Sequence, residues 1–226
     1  MKYILKFSKH DRTAYISHLD LQRLFIRILR MVGARPTYSN GFNPHPRLSF
    51  ALPLPLGFES DGEYLEFEVD EHLDTVVVLD RINTRLPHGM RALVLREKSE
   101  AYSKPLASYI YSSEYSILAP AWANVAADVD EFAKRDSIII EKTSRKTGKT
   151  REINIAEMMI SMDVIFAYNS QMLLHLRVRT QNNDSINPNA VMSKFYQEFG
   201  HTWNPISAHI IRKQIFIEDG TNVDEI

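Results

Sequence analysis

Asp20, Arg23, Arg27 and Arg30 follow one another at intervals of three, four and three residues. On an α-helix these intervals place them along one stripe, beside the apolar positions rather than among them. Like charges four residues apart cost a helix a few tenths of a kcal/mol, so the stripe needs a compensating partner. The planar guanidinium fork suits phosphate and carboxylate groups. Two readings stay open. Either the stripe faces an anionic ligand, or Asp20 and the acidic run Glu63 to Glu68 neutralise it within the molecule.

A second group follows in the loop from Tyr38 to Arg47, which displays Tyr38, Ser39, Asn40, Asn43, His45 and Arg47. Asn40-Gly41 favours a turn with positive φ, and Pro44 and Pro46 hold Asn43 and His45 in extended geometry. A stiff loop that gathers donors, acceptors, an imidazole and a guanidinium is a candidate binding surface. His18 and His45 flank the stripe and the loop. Either His18 or His45 as general acid or base would serve a metal-independent endoribonuclease, with Arg23, Arg27 and Arg47 stabilising the charged transition state. Otherwise they hold structure or substrate by hydrogen bonds. A third group, Lys142, Arg145, Lys146, Lys149 and Arg151, sits in a basic hairpin over 137–155, a tip able to meet RNA phosphates or simply to face solvent.

The elements that position these groups are read from periodicity. Lys2 to Lys9 alternates as a strand. Ser17 caps a helix over 18–32 that ends at Gly33, and its apolar face carries Leu21, Leu24, Phe25, Ile28, Leu29 and Val32. Strands are expected over 47–52 and 63–69, a helix over 73–86 and a strand over 90–97. The order β-α-β-β-α-β is the ferredoxin-like one. After a linker, residues 107–217 repeat the theme with strands at 108–118, 162–167, 171–180 and 208–217. A helix at 122–134, a second capped by Asn187 with Pro188 first, and the inserted hairpin complete it. The fold class expected is therefore α+β, with two successive ferredoxin-like halves, 1–98 and 107–217, and a frayed acidic tail at 218–226.

Composition narrows the function. The chain has 226 residues, 44% hydrophobic and 24% charged, and no cysteine. That excludes disulfides, thiolate nucleophiles and iron–sulfur clusters held by the chain itself. The eight histidines form no His-x-x-x-His or His-x-His pair, so neither a metal site nor a cofactor is expected. With no apolar run of about 18 residues and no signal-like start, no membrane is expected and the cytosol is the simplest location. The net charge of −1 hides a segregation: residues 1–50 carry +7 and residues 51–80 carry −9. A basic face of that kind suits an anionic partner.

Ser17-His18-Leu19-Asp20-Leu21, then Arg23, Arg27 and Arg30, then Tyr38 through Ala51, then Leu54-Pro55-Leu56-Gly57 and Glu63-Tyr64 resemble the signature of the radical SAM-linked protein family. The resemblance covers residues 1–100, and no activity is assigned to that family. It implies a radical SAM enzyme as partner, which must be a separate polypeptide because this chain has no thiolates for the cluster. The expected role is a non-catalytic accessory protein that presents RNA or another anionic substrate to that enzyme. The endoribonuclease and a purely protein-docking subunit are the alternatives.

Overall fold

The computed structural model describes the chain except residues 144–147, 149, 182–183, 218–220 and 226, and except the side chains of residues 142, 143, 181, 184, 185 and 225. It is a mixed α+β protein, mostly sheet, with four α-helices among the described residues. None of the described helices is long and apolar enough to cross a membrane. The chain divides into two compact units, Met1–Ile110 with Gln214–Ile226, and Tyr111–Lys213.

The first unit runs β1 (Lys2–Lys9), α1 (His18–Met31), β2 (Leu48–Phe50), β3 (Glu59–Glu68), α2 (Thr75–Asn83) and β4 (Met90–Glu97). Its strands lie in the order β2-β3-β1-β4, and every pairing is antiparallel. Leu5 faces Leu65 on one side and Leu95 on the other, which sets the register of a buried row. Because alternate residues of a strand share a face, Tyr3, Leu5 and Phe7 of β1 and Leu65 and Phe67 of β3 form one apolar surface. Phe25, Ile28 and Leu29 of α1 and Ile82 of α2 close it.

The opposite face departs from expectation. Simple alternation assigns Tyr64, Glu66 and Glu68 to solvent, yet Tyr64 is 1% and Glu66 8% exposed. Two distant segments cover them. Leu106 and Ile110 from the segment after β4, and Ile215, Ile217 and Val223 from the chain's end, pack on Ile4 and Tyr64 in a second apolar cluster. The expectation of a frayed tail is thereby corrected for residues 221–225. Val223 is fully buried, and Asp224 accepts from Lys6 Nζ at 2.5 Å and from the Tyr64 hydroxyl at 2.9 Å. The Arg96 guanidinium donates to the Val223 and Asp224 carbonyls. Burial and the neighbouring Asp224 carboxylate push the Tyr64 hydroxyl pKa well up. The end of the last strand and the residues after it thus belong to the first unit, not to a 107–217 half.

The entry to α1 is held by Gly89 in the turn before β4. His10 N–H donates to the Gly89 carbonyl at 2.7 Å. Gly89 has φ +91°, and an added Cβ would stand 2.6 Å from the His10 carbonyl oxygen. The left-handed conformation costs a side chain about 1–2 kcal/mol, and a backbone clash adds to it. Gly89→Ala is therefore expected to lose about 2 kcal/mol or more in urea unfolding; an unchanged midpoint would show that the turn relaxes freely.

The second unit runs β5 (Ile110–Pro120), α3 (Val125–Ala133), β6 (Ile139–Thr143), β7 (Thr150–Asn154), β8 (Met159–Tyr168), β9 (Gln171–Gln181), the short β10 (Asp184–Ser185), α4 (Pro188–Glu198) and β11 (His209–Ile217), whose end passes to the first unit. β9 pairs antiparallel with β5, β8 and β10, β11 lies beside β5, and β6 and β7 form a separate hairpin. Asn169 and Ser170 both have positive φ, as a two-residue hairpin turn requires. Asn187 caps α4, with Pro188 at its first position. Leu174, Leu176, Val178, Phe132, Val191 and Phe195 are buried, with Trp122 stacked on Phe195 at 5.4 Å.

Candidate functional site

Helix α1 presents the arginine stripe, and its own cap removes one member. The Ser17 side chain accepts from Asp20 N–H at 3.2 Å and donates to the Asp20 carboxylate at 2.8 Å. Arg23 donates to the same carboxylate at 3.0 Å. The bonds from Ser17, then those from Arg23, hold Asp20 below the usual carboxylate pKa. Arg27 and Arg30 remain. Both are exposed, and among the described residues neither has a carboxylate partner. Arg30 instead lies over the Tyr38 ring at 5.7 Å.

The acidic strand does not neutralise the stripe. Glu66 of β3 is held by Lys98 at 2.6 Å, and Glu68 by Arg47 at 3.1 Å. Opposite charges are paired, but on the far side of the sheet and at its edge. Arg47, expected among the displayed binding groups, is accordingly engaged in fixing the base of the loop.

That loop is a projecting arm. Thr37 N–H donates to the Glu68 carbonyl and Arg47 N–H to the Thr37 carbonyl, both at 2.8 Å. One step further out, Ser39 N–H donates to the His45 carbonyl at 2.8 Å and His45 N–H to the Ser39 hydroxyl at 2.9 Å. Ser39 thus serves the arm's own structure. The tip turns at Gly41, φ +122°, and carries Phe42 completely exposed to solvent. The side chains of Asn40, Asn43 and His45 are exposed as well, and among the described residues none of them is held by a hydrogen bond. Beyond the Ser39–His45 pair, the polar side chains of the loop are therefore not engaged with one another. Phe42 is the residue that a reading of polar groups passes over. Its signal was there: a large apolar side chain between Gly41 and Asn43, at neither helix nor strand spacing.

The two histidines are not brought together. His18 packs edge-on against Phe50 at 5.1 Å and lines a small hollow with Lys9 and Glu63. His45 lines a different hollow, of about 350 Å³, with Ser39, Arg47 and Glu68. In the basic hairpin, Lys142 pairs in register with Arg151, which is exposed. The side chain of Lys142 and all of Arg145, Lys146 and Lys149 lie outside the described residues.

Residues 2–188, which include the stripe, the arm and the hairpin, match a family described as an uncharacterized protein conserved in bacteria, DUF2344. The chain belongs to this family. No curated protein matches it. Among solved structures, a chain of the crystal structure of a Cbf5-Nop10-Gar1 complex is similar with a TM-score of 0.53 and 9% identity, over 96% of this chain and 50% of that one. The DUF2344 chain thus spans half of that neighbour, and the likeness is one of fold. A second neighbour, "Crystal structure of putative glycine cleavage system transcriptional repressor", has a TM-score of 0.25 at 12% identity, over 93% of this chain and 97% of that one.

Proposed function

We propose that this DUF2344 protein is a non-catalytic binding module for single-stranded RNA, built on two ferredoxin-like βαββαβ units, and that it presents the strand to a separate radical SAM enzyme. The observation that carries the RNA reading is exposed Arg30 lying over Tyr38, with exposed Arg27 three residues before it on α1 and, on the arm that Tyr38 begins, fully exposed Phe42. Unengaged guanidinium groups attract phosphates, and aromatic faces stack bases. Asn40, Asn43 and His45 add donors and acceptors of the kind that read base edges. The enzyme partner rests on the motif resemblance, and the absence of cysteine makes it another chain. Arg23 and Arg47, which endoribonuclease chemistry would use on the transition-state charge, are engaged by Asp20 and Glu68, which favours binding over that alternative.

The test is fluorescence anisotropy of a labelled single-stranded RNA 12-mer against the whole protein between 50 and 300 mM KCl. Contacts to two phosphates give a log–log salt slope of about −1.4 for a single strand. No binding at the lowest salt, or binding indifferent to salt, would overturn the RNA reading and leave Phe42 and the stripe as a surface for a protein.

A further inference from the structure

We propose that the chain forms a two-fold dimer through β8, whose outer edge pairs antiparallel with the β8 edge of a second copy. The inference is independent of the RNA reading. β8 pairs with β9 on one side, and among the described residues no strand lies along its other side. Such an edge leaves a row of N–H and C=O groups open to another strand. Ile160, Ile165, Phe166 and Tyr168 are 39%, 62%, 47% and 74% exposed, so large apolar side chains crowd this one strand. At roughly 200 Å² for each such side chain, they leave on the order of 400 Å² uncovered. That is as much as a whole monomer usually leaves in its largest apolar patch.

Proteins commonly protect an open edge with lysine, proline or a bulge that bends it away. The ten residues of β8 include no Lys, Arg or Pro, and Asp163 is their single charged group. Two bulges are present, but the extra residues between paired neighbours are Ile160 and Ile165, both exposed. They add apolar surface to the edge instead of charge. A second copy is the occupant that such an edge fits. Pairing about a two-fold axis sets residue i of one copy against j of the other and j against i. An edge with one charge therefore meets its copy without repulsion in every register except the one centred on Asp163. The apolar row Leu118, Leu173 and Phe166, in register across β5, β9 and β8, reaches this edge, and the copy presents the same row to it. Two copies remove on the order of 800 Å² of apolar side chain. The two strand backbones and Ala167 carry the total past the roughly 1,000 Å² that a specific interface needs.

Sedimentation velocity of the whole chain from about 1 to about 200 µM is expected to show a monomer–dimer equilibrium with a dissociation constant on the order of micromolar. Hydrogen exchange of the wild type at the two ends of that range locates the interface. The amides of residues 160–168 are expected to exchange about tenfold more slowly at the high concentration, and those of the arm, residues 38–47, equally at both. Ile165→Lys gives the edge the charge it lacks. Because a two-fold interface takes the change twice, the dimer is expected to weaken about a hundredfold. Ile206→Lys, at an almost fully exposed residue outside β8, is expected to leave it unchanged. A chain that is monomeric at about 200 µM overturns the proposal and leaves the edge to a different protein. A dimer that forms without protecting β8, or that a folded Ile165→Lys protein keeps intact, uses another surface and overturns it as well. Because exchange of the wild type decides this, a failure of Ile165→Lys to fold would not rescue the proposal.

Discussion

Replacing Arg27 and Arg30 together by alanine is expected to lower the affinity for single-stranded RNA about a hundredfold and to remove the salt slope of about 1.4 that two phosphate contacts supply. Phe42→Ala is expected to lower affinity about tenfold while leaving the slope unchanged, since a stacked base is worth about 1–3 kcal/mol and releases no counterion. The two variants therefore separate charge from stacking on one surface. Neither should unfold the protein. Arg27 and Arg30 are exposed, and the change gives up only the Arg30–Tyr38 contact, about 0.5–1 kcal/mol at an exposed site. Phe42 touches nothing it could leave empty, being fully exposed. Arg23→Ala is the internal control. Its guanidinium is already held by Asp20, so its effect on affinity should be several-fold smaller than that of either free arginine. If the double variant binds RNA as the wild type does, the stripe is not the binding surface. If Phe42→Ala flattens the salt slope as well, the arm acts by placing the arginines rather than by stacking.

What was legible in the sequence was whatever local chemistry decides. Ser17, Asp20 and Gly33 mark α1 because capping and C-terminal geometry depend on neighbouring residues: Ser17 does cap the helix, and Gly33 does adopt positive φ. The same holds for Asn187 and Pro188 at the start of α4. What was not legible depends on partners far along the chain. Glu66 looks like a solvent-facing strand position until Lys98 and Leu106, 32 and 40 residues away, close over it. The +7 and −9 segments invite the idea of mutual neutralisation. Register decides otherwise, because Arg47 meets Glu68 at the arm's base while the α1 arginines are left facing out.

Lys98→Met is expected to destabilise the first unit by about 3–5 kcal/mol, the usual result of removing one partner from a buried ion pair. Lys98 and Glu66 side chains are 1% and 11% exposed, with Nζ and Oε2 2.6 Å apart. The ammonium also donates to the Lys104 carbonyl, and Leu106 N–H donates to the same Glu66 oxygen at 2.9 Å. Methionine keeps most of the apolar stem in place, so the loss reads the stranded carboxylate rather than a cavity. Adding Glu66→Gln should restore at least half of the loss, because the amide carries no charge to strand and still offers Leu106 N–H an acceptor. Urea unfolding of the two single variants and the double variant measures this as a coupling energy. The same contacts pin residues 98–110 over Ile4 and Tyr64, so the single variant should also become sensitive to proteolysis between residues 99 and 105 before it unfolds globally. A Lys98→Met protein within about 1 kcal/mol of the wild type, still resistant in that segment, would mean that apolar packing alone holds the covering strand of chain and that the pair is incidental to it.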